Sequence, residues 1–129
     1  MFCAPRFLQF EMFRAFGNDV QHRRYYEHYW MDCAEVDARP FILYLQYLTY
    51  HGIGARQLQL QDFLKHKDIV KSIEKLRQLY HPETVLNLHG HCLELEGDIL
   101  NALYAYSTSL SGKPRFNAAN WHITLTHHT

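Results

Sequence analysis

Ten histidines and three cysteines are the side chains of this sequence that could bind a metal ion. Six of them form two clusters: His89, His91 and Cys92, and then His122, His127 and His128. A structural zinc site needs paired ligands such as Cys-x2-Cys with His-x3-His, and no such set is present. On a helix His89 and His91 point about 200° apart, which makes them poor co-ligands. His89 and Cys92 are better spaced, but packing explains them more simply, so we expect no metal site.

Nucleophilic or acid–base catalysis would need an activated side chain, and the sequence indicates none. Cys92 falls in the middle of an expected helix, where a free thiol acts as a small hydrophobic side chain. Neither Cys3 nor Cys33 follows a small-residue loop that opens a helix, the setting that activates a thiol. Glu94 and Glu96 lie beside an expected turn, where solvation accounts for them. We therefore expect no catalytic residues, no enzymatic activity and no cofactor.

The segment Gly52-Ile53-Gly54 is a weak candidate for a phosphate-binding loop. No strand is expected before it, and no further glycine follows at the spacing of a dinucleotide fingerprint. The segment is typical of a helix end, where glycine takes the left-handed conformation.

Length and charge predict a globular protein that binds neither nucleic acid nor membrane. The 129 residues suffice for one small domain with a core, and the 13 basic and 13 acidic residues balance. Lysines begin at Lys65, but the stretch 65–77 also contains Asp68 and Glu74, which predicts a solvated helix face rather than a phosphate-binding strip. No run of 18 apolar residues predicts a membrane span. Three scattered cysteines indicate a reducing, cytoplasmic location.

Hydrophobic periodicity predicts helices along the chain, with residues 7–10 either a short strand or the first turn of a helix. Residues 1–36 carry aromatic side chains near helical spacing, and we predict an aromatic-rich helical segment there. The residues concerned are Phe10, Phe13, Phe16, Tyr26, Tyr29 and Trp30, with Cys33 on the same face as the last three. Residues 37–129 are predicted to form a second unit, built of antiparallel helical hairpins with short connections.

Capping and stop residues predict the helices of this second unit. Asp37 would cap a helix that begins near Arg39-Pro40 and ends at Gly54. The following helices are expected at Ala55–His66, from Asp68 to Tyr80, at Glu83–Leu95, at Asp98–Leu110 and from Asn117. The helix after Asp68 is expected to carry an apolar stripe of Ile69, Val70, Ile73, Leu76 and Tyr80.

The stretch Glu83–Phe116 has the spacing of a helix–turn–helix unit. Gly90 and Ala102 are small residues suited to a close helix crossing, and Gly97 with Asp98 is suited to the turn. Tyr106 is an aromatic residue on the second helix, and Pro114 follows a polar stop.

This stretch resembles a tetratricopeptide repeat, whose period is about 34 residues. His89 and Ser109 depart from the family pattern, which has leucine and alanine there. The stretch before residue 83 fits the pattern poorly, and residues 117–129 resemble the start of a further repeat. Because at least three repeats are needed for stability, either the earlier helices serve as a non-standard repeat or the chain packs against missing parts of a longer protein.

The resemblance implies an all-α fold, a fragment of an α-solenoid, with a non-catalytic role as a protein–protein interaction scaffold. The expected partner is a peptide or helix of another protein. Asn87 and His91, as outward positions of the first repeat helix, are the predicted partner contacts. They differ from the Lys and Asn of carboxylate-clamp members, so binding of an EEVD-type tail is not expected.

A second resemblance covers about residues 38–123 and gives an alternative function. Segments such as ARPFILYLQYLTYHGIGARQ and RFNAANWHI look like the C-terminal helical region of some invertebrate male-abnormal/cyclic-GMP-AMP-synthase-like nucleotidyltransferase proteins. It implies a helical appendage in a nucleotide-sensing, innate-immune context. It does not imply catalysis, because nucleotidyl transfer needs a Gly-Ser loop with carboxylates for two metals, and the chain has no Gly-Ser pair.

Overall fold

A computed structural model describes Phe7 and residues 37–127, with six helices and no strand among these residues. The helices are α1 (Ala38–Ile53), α2 (Arg56–Lys71), α3 (Ile73–Arg77), α4 (Pro82–Leu95), α5 (Ile99–Gly112) and α6 (Ala119–His127). The predicted all-α class is confirmed. The helices predicted within residues 1–36 lie outside the described residues, and so does His128.

Helices α1 and α2 pack against each other across the connection Gly54-Ala55. Gly54 has a φ of 74°, and its amide bonds back to the carbonyls of His51 and Tyr50, so the glycine closes α1 as predicted. Tyr44 and Tyr47 point from α1 into the core and are fully buried. No described helix is both long and apolar enough to cross a bilayer.

The predicted break between the second and third helices is in the wrong place. Helix α2 continues through Asp68 to Lys71, because the chain has no glycine or proline there to stop it. The break occurs at Ser72, whose hydroxyl accepts a hydrogen bond from the amide of Lys75 and caps the short α3. Tyr80, expected on the apolar stripe, is 89% exposed.

Helices α4 and α5 form the second hairpin and hold the centre of the fold. The turn between them contains Gly97 at φ 86°, and the Asp98 carboxylate accepts from the amide of Asn101. Gly90 lies where the helices meet, directly under the ring of Tyr106. Ala102 and Tyr106 are both fully buried, whereas Pro114 lies in the exposed connection after α5.

A buried polar network attaches α6 to this hairpin. The Asn117 amide donates to the Ser109 hydroxyl and to the Lys113 carbonyl, both at 2.9 Å. Its oxygen accepts from the amide of Ala119 at 2.9 Å, which starts α6. Ser109 in turn donates to the carbonyl of Glu83 on α4. The serine, which departs from the alanine of the repeat pattern, therefore links three helices.

Two polar contacts join the hairpins at their ends. The Asp37 carboxylate accepts from the backbone amides of Tyr80 and His81, both at 2.9 Å, and makes no capping bond to α1. Arg56 pairs with both oxygens of Glu96, at 2.7 and 2.6 Å. The prediction that Asp37 caps α1 through its side chain is therefore wrong, and the residue serves a connection between hairpins instead.

Gly90→Ala should destabilise the protein. A Cβ at this position would lie 2.4 Å from Cε1 of Tyr106, so the ring must shift. We expect the free energy of unfolding, measured by urea denaturation, to fall by about 1–3 kcal/mol through overpacking, against a gain of about 1 kcal/mol in helix propensity.

Gly52→Ala is the matched control for this substitution. Gly52 also lies inside a helix, but an added Cβ would meet nothing within 4 Å. Gly52→Ala should raise the free energy of unfolding by up to about 1 kcal/mol. Equal effects at the two glycines would contradict a close crossing of α4 and α5 at Gly90.

Candidate functional site

The inner face of α2 is polar, which hydrophobic periodicity did not predict. Gln59, Asp62 and His66 are buried there. They share one face because residues three and four apart lie side by side on a helix. Leu58 and Leu64, two leucines of the same helix, are exposed. The signal available in the sequence was spacing: these polar residues lie three and four positions apart, on the same helix face as Phe63.

His66 and His89 form a buried pair between α2 and α4. Their Nδ1 atoms are 3.2 Å apart, and their rings are nearly parallel with a centroid separation of 5.2 Å. One Nδ1 must therefore carry a hydrogen while the other accepts it. The ring of Phe63 stacks on His89 at 5.4 Å. The hydrogen bond requires at least one of the two imidazoles to be neutral.

Burial keeps both rings of this pair neutral. Loss of solvent lowers the pKa of His66 to about 3, with a further contribution from His89. It also lowers the pKa of His89 to about 4, helped by the positive charges of Lys67 and Lys71. Burial likewise raises the pKa of the Asp62 carboxyl. Among the described residues, Asp62 Oδ2 and His66 Nε2 have no hydrogen-bond partner.

Among the described residues, the His and Cys side chains of the two clusters are not brought together as a set of metal ligands. Cys92 is fully buried in the core cluster, and burial raises the pKa of its thiol. His122 stacks on Phe7 instead, at a centroid distance of 3.9 Å. Across the described ranges, no three His, Cys, Asp or Glu side chains are placed to hold one metal ion.

A groove of about 660 Å³ runs between α2 and α5, with α4 beneath it. We call it the α2–α5 groove. Its lining is Lys67, Val70 and Lys71 from α2, Leu76 from α3, Leu86, His89 and Leu93 from α4, and Asp98, Asn101, Tyr104, Ala105 and Thr108 from α5. The base is thus largely apolar, with His89 as its polar member.

The two sides of the groove differ in charge. Lys67 and Lys71, one helical turn apart on α2, make one side basic, and within residues 37–127 neither forms an ion pair. On the α5 side the Asp98 carboxylate already accepts hydrogen bonds from Asn101. Tyr104, at the rim, is 73% exposed. The charge pattern of residues 65–77 predicted a solvated helix face, so it did not identify Lys67 and Lys71 as one side of a groove.

A second cavity, of about 540 Å³, lies between α1, α2 and α3. Its lining includes Arg39, Lys65, Asp68 and Lys75. Asp68 and Lys75 pair with each other across it. Because part of its charge is already neutralised, this cavity offers less to a partner than the α2–α5 groove.

The predicted outward orientation of Asn87 is wrong. Asn87 is 1% exposed, and its amide donates to Asn117 Oδ1 at 2.9 Å. The physical reason is that α4 is covered on nearly every side, by α1, α2, α5 and the start of α6. His91 is half-buried rather than outward, with Nδ1 2.7 Å from the Tyr44 hydroxyl. Asn87 is therefore inaccessible to a partner from outside, and His91 is only partly accessible.

Comparison with known proteins finds no match: no protein-family model fits the sequence, and no curated protein or solved structure is detectably similar to it. The two family resemblances therefore remain predictions from the residues that carry them.

Acid should destabilise the fold through its buried histidines. Between pH 6.5 and 5 the unfolded chain protonates His66 and His89 while the native state does not. The free energy of unfolding then falls as the pH falls, by about 1.4 kcal/mol per pH unit for each histidine. His91, whose pKa burial lowers to about 4, adds to the same trend. Urea denaturation at several pH values measures this slope.

His89→Leu should lower by about one the number of protons taken up on unfolding, and so reduce the pH dependence of the free energy of unfolding. Gln59→Leu is the control, because it removes a buried polar side chain of the same region that does not titrate. It should change stability without changing the slope. An unchanged slope in His89→Leu would show that His89 binds protons equally in the native and unfolded states, which contradicts a pKa lowered by burial.

Proposed function

We propose that the chain is a non-catalytic, tetratricopeptide-like interaction module that binds a helix of a partner protein in the α2–α5 groove. The observation that carries the proposal is the combination of an apolar base with a basic side in one open groove. Helical segments dock in such grooves through apolar residues spaced three, four and seven apart. The proposed location is cytoplasmic, on the basis of the scattered cysteines.

The chemistry of the groove specifies the partner. Leu76, Leu86 and Leu93 offer apolar contact to a ligand's leucine-like side chains. Lys67 and Lys71 favour a ligand that carries Glu or Asp along one edge, because complementary charge fixes orientation and speeds association. The partner segment is therefore an amphipathic helix with an acidic flank.

A non-catalytic role fits the state of the histidines nearest the groove. His89 reaches the base, but its ring is held by a hydrogen bond to His66 and by stacking on Phe63. A ring fixed in this way contributes shape to the groove and has no freedom to shuttle a proton to a ligand. The groove volume of about 660 Å³ lies in the range of ligand pockets and admits a few anchor side chains.

Two designed peptides test the proposal. One is a labelled 16-residue helix with leucine at helical spacing and Glu on one flank, and the other has Lys in place of Glu. Fluorescence anisotropy should show the acidic peptide binding about tenfold more tightly, a difference near 1.4 kcal/mol. Lys67→Glu combined with Lys71→Glu should reverse this preference, and added salt should weaken it.

Lys65→Glu is the matched control. It makes one Lys-to-Glu change on the same helix, half the charge change of the double variant, but Lys65 lines the other cavity. It should leave the acidic peptide's affinity within about twofold, because its charge lies outside the α2–α5 groove and is screened by salt. Binding of neither peptide at about 1 mM, or equal loss with Lys65→Glu, would contradict the proposal.

A further inference from the structure

Phe7 occupies a slot made by three helices. Its ring lies between the rings of His91 on α4 and His122 on α6, with centroid distances of 4.1 and 3.9 Å. The planes are nearly parallel, at 15° and 5°. Tyr44 of α1 closes one side at 5.9 Å. We call this site the His91–His122 clamp.

The clamp is held in place by contacts that do not involve Phe7. The Tyr44 hydroxyl lies 2.7 Å from Nδ1 of His91. The His122 ring lies 5.2 Å from the ring of Tyr106, which is fixed above Gly90 in the core. Each imidazole thus has a contact that does not depend on Phe7, which favours a site formed before its occupant arrives.

The geometry selects a flat aromatic side chain. Two rings facing each other with one ring between them leave a thickness that suits a planar group and not a branched aliphatic one. Offset or parallel stacking contributes about 0.5–1.5 kcal/mol per aromatic pair beyond the burial of area. Burial lowers the pKa of His91 to about 4, with contributions from His122 and His51, so this side of the slot is uncharged at neutral pH.

We propose that the clamp is a binding site for an aromatic side chain of a peptide, and that Phe7 fills it as an intramolecular ligand. The inference goes beyond the proposed function, because Tyr44, His91 and His122 form the clamp and none of them lines the α2–α5 groove. The N-terminal Phe7 holds the site closed to peptides supplied from outside. Removing its ring opens the site.

Binding of the chain's own N-terminal sequence in trans tests this. The probe is a labelled peptide of residues 1–13, with Cys3→Ser to prevent oxidation, titrated into the full chain. It should bind Phe7→Ala protein at least about tenfold more tightly than the unsubstituted protein, because a tethered competitor acts at a high effective concentration. His122→Ala added to Phe7→Ala should abolish the binding.

Matched peptides isolate the ring. The probe carrying Phe7→Ala should not bind, and the one carrying Phe7→Leu should bind clearly less well than the original although it keeps an apolar side chain. Equal binding of the Phe and Leu probes, or equal binding of the original probe to both proteins, would overturn the proposal. The double substitution Lys67→Glu and Lys71→Glu should leave probe binding unchanged. A failure of the clamp proposal can therefore be distinguished from a failure of the groove proposal.

A second measurement covers the case in which Phe7→Ala does not fold. In the full chain the phenyl ring should shift the ring-proton NMR signals of His91 and His122 upfield, and Phe7→Leu should remove that shift while retaining bulk at the site. Identical histidine signals in the unsubstituted protein and in the Phe7→Leu variant would show that the clamp does not hold the ring.

Discussion

The contact between Gly90 and the ring of Tyr106 is the constraint on which the other contacts depend. Because Gly90 has no side chain, the ring can lie directly on the α4 backbone, and α4 and α5 come together around it. The same ring lies beside His122, which positions α6. A larger residue at position 90 would move Tyr106, and through it one side of the clamp that holds Phe7. Packing in the centre thus determines the shape of a site at the edge.

The fold also buries polar side chains at its centre and satisfies most of them within itself. Asn117 joins Ser109 and Asn87 in one network, and His66 bonds to His89. Such buried groups are costly when left unpaired, so they require a particular register between helices. In this protein the register brings the lysines of α2 opposite α5, which creates the α2–α5 groove. The buried polar network and the α2–α5 groove are therefore products of the same helix arrangement.

The sequence predicted the parts of the fold that depend on local chemistry. Gly54 and Gly97 mark turns through their positive φ, and the helix boundaries of α4 and α5 follow from their neighbours. It could not predict the inner face of α2, because periodicity assigns Gln59 and Asp62 to solvent. The sequence also could not predict the clamp, because it depends on contacts between Phe7 and two histidines that come far later in the chain.

The two polar contacts between the hairpins affect how the protein unfolds. Asp37 bonds to backbone groups 43 and 44 residues away, and Arg56 pairs with a carboxylate 40 residues away. Arrays of stacked repeats with only nearest-neighbour contacts can lose their ends first. Here the Asp37 contacts close a loop that contains α1 to α3, and the Arg56–Glu96 pair closes a loop that contains α2 to α4, so the two hairpins cannot separate without breaking both contacts. We therefore expect the two hairpins to unfold together.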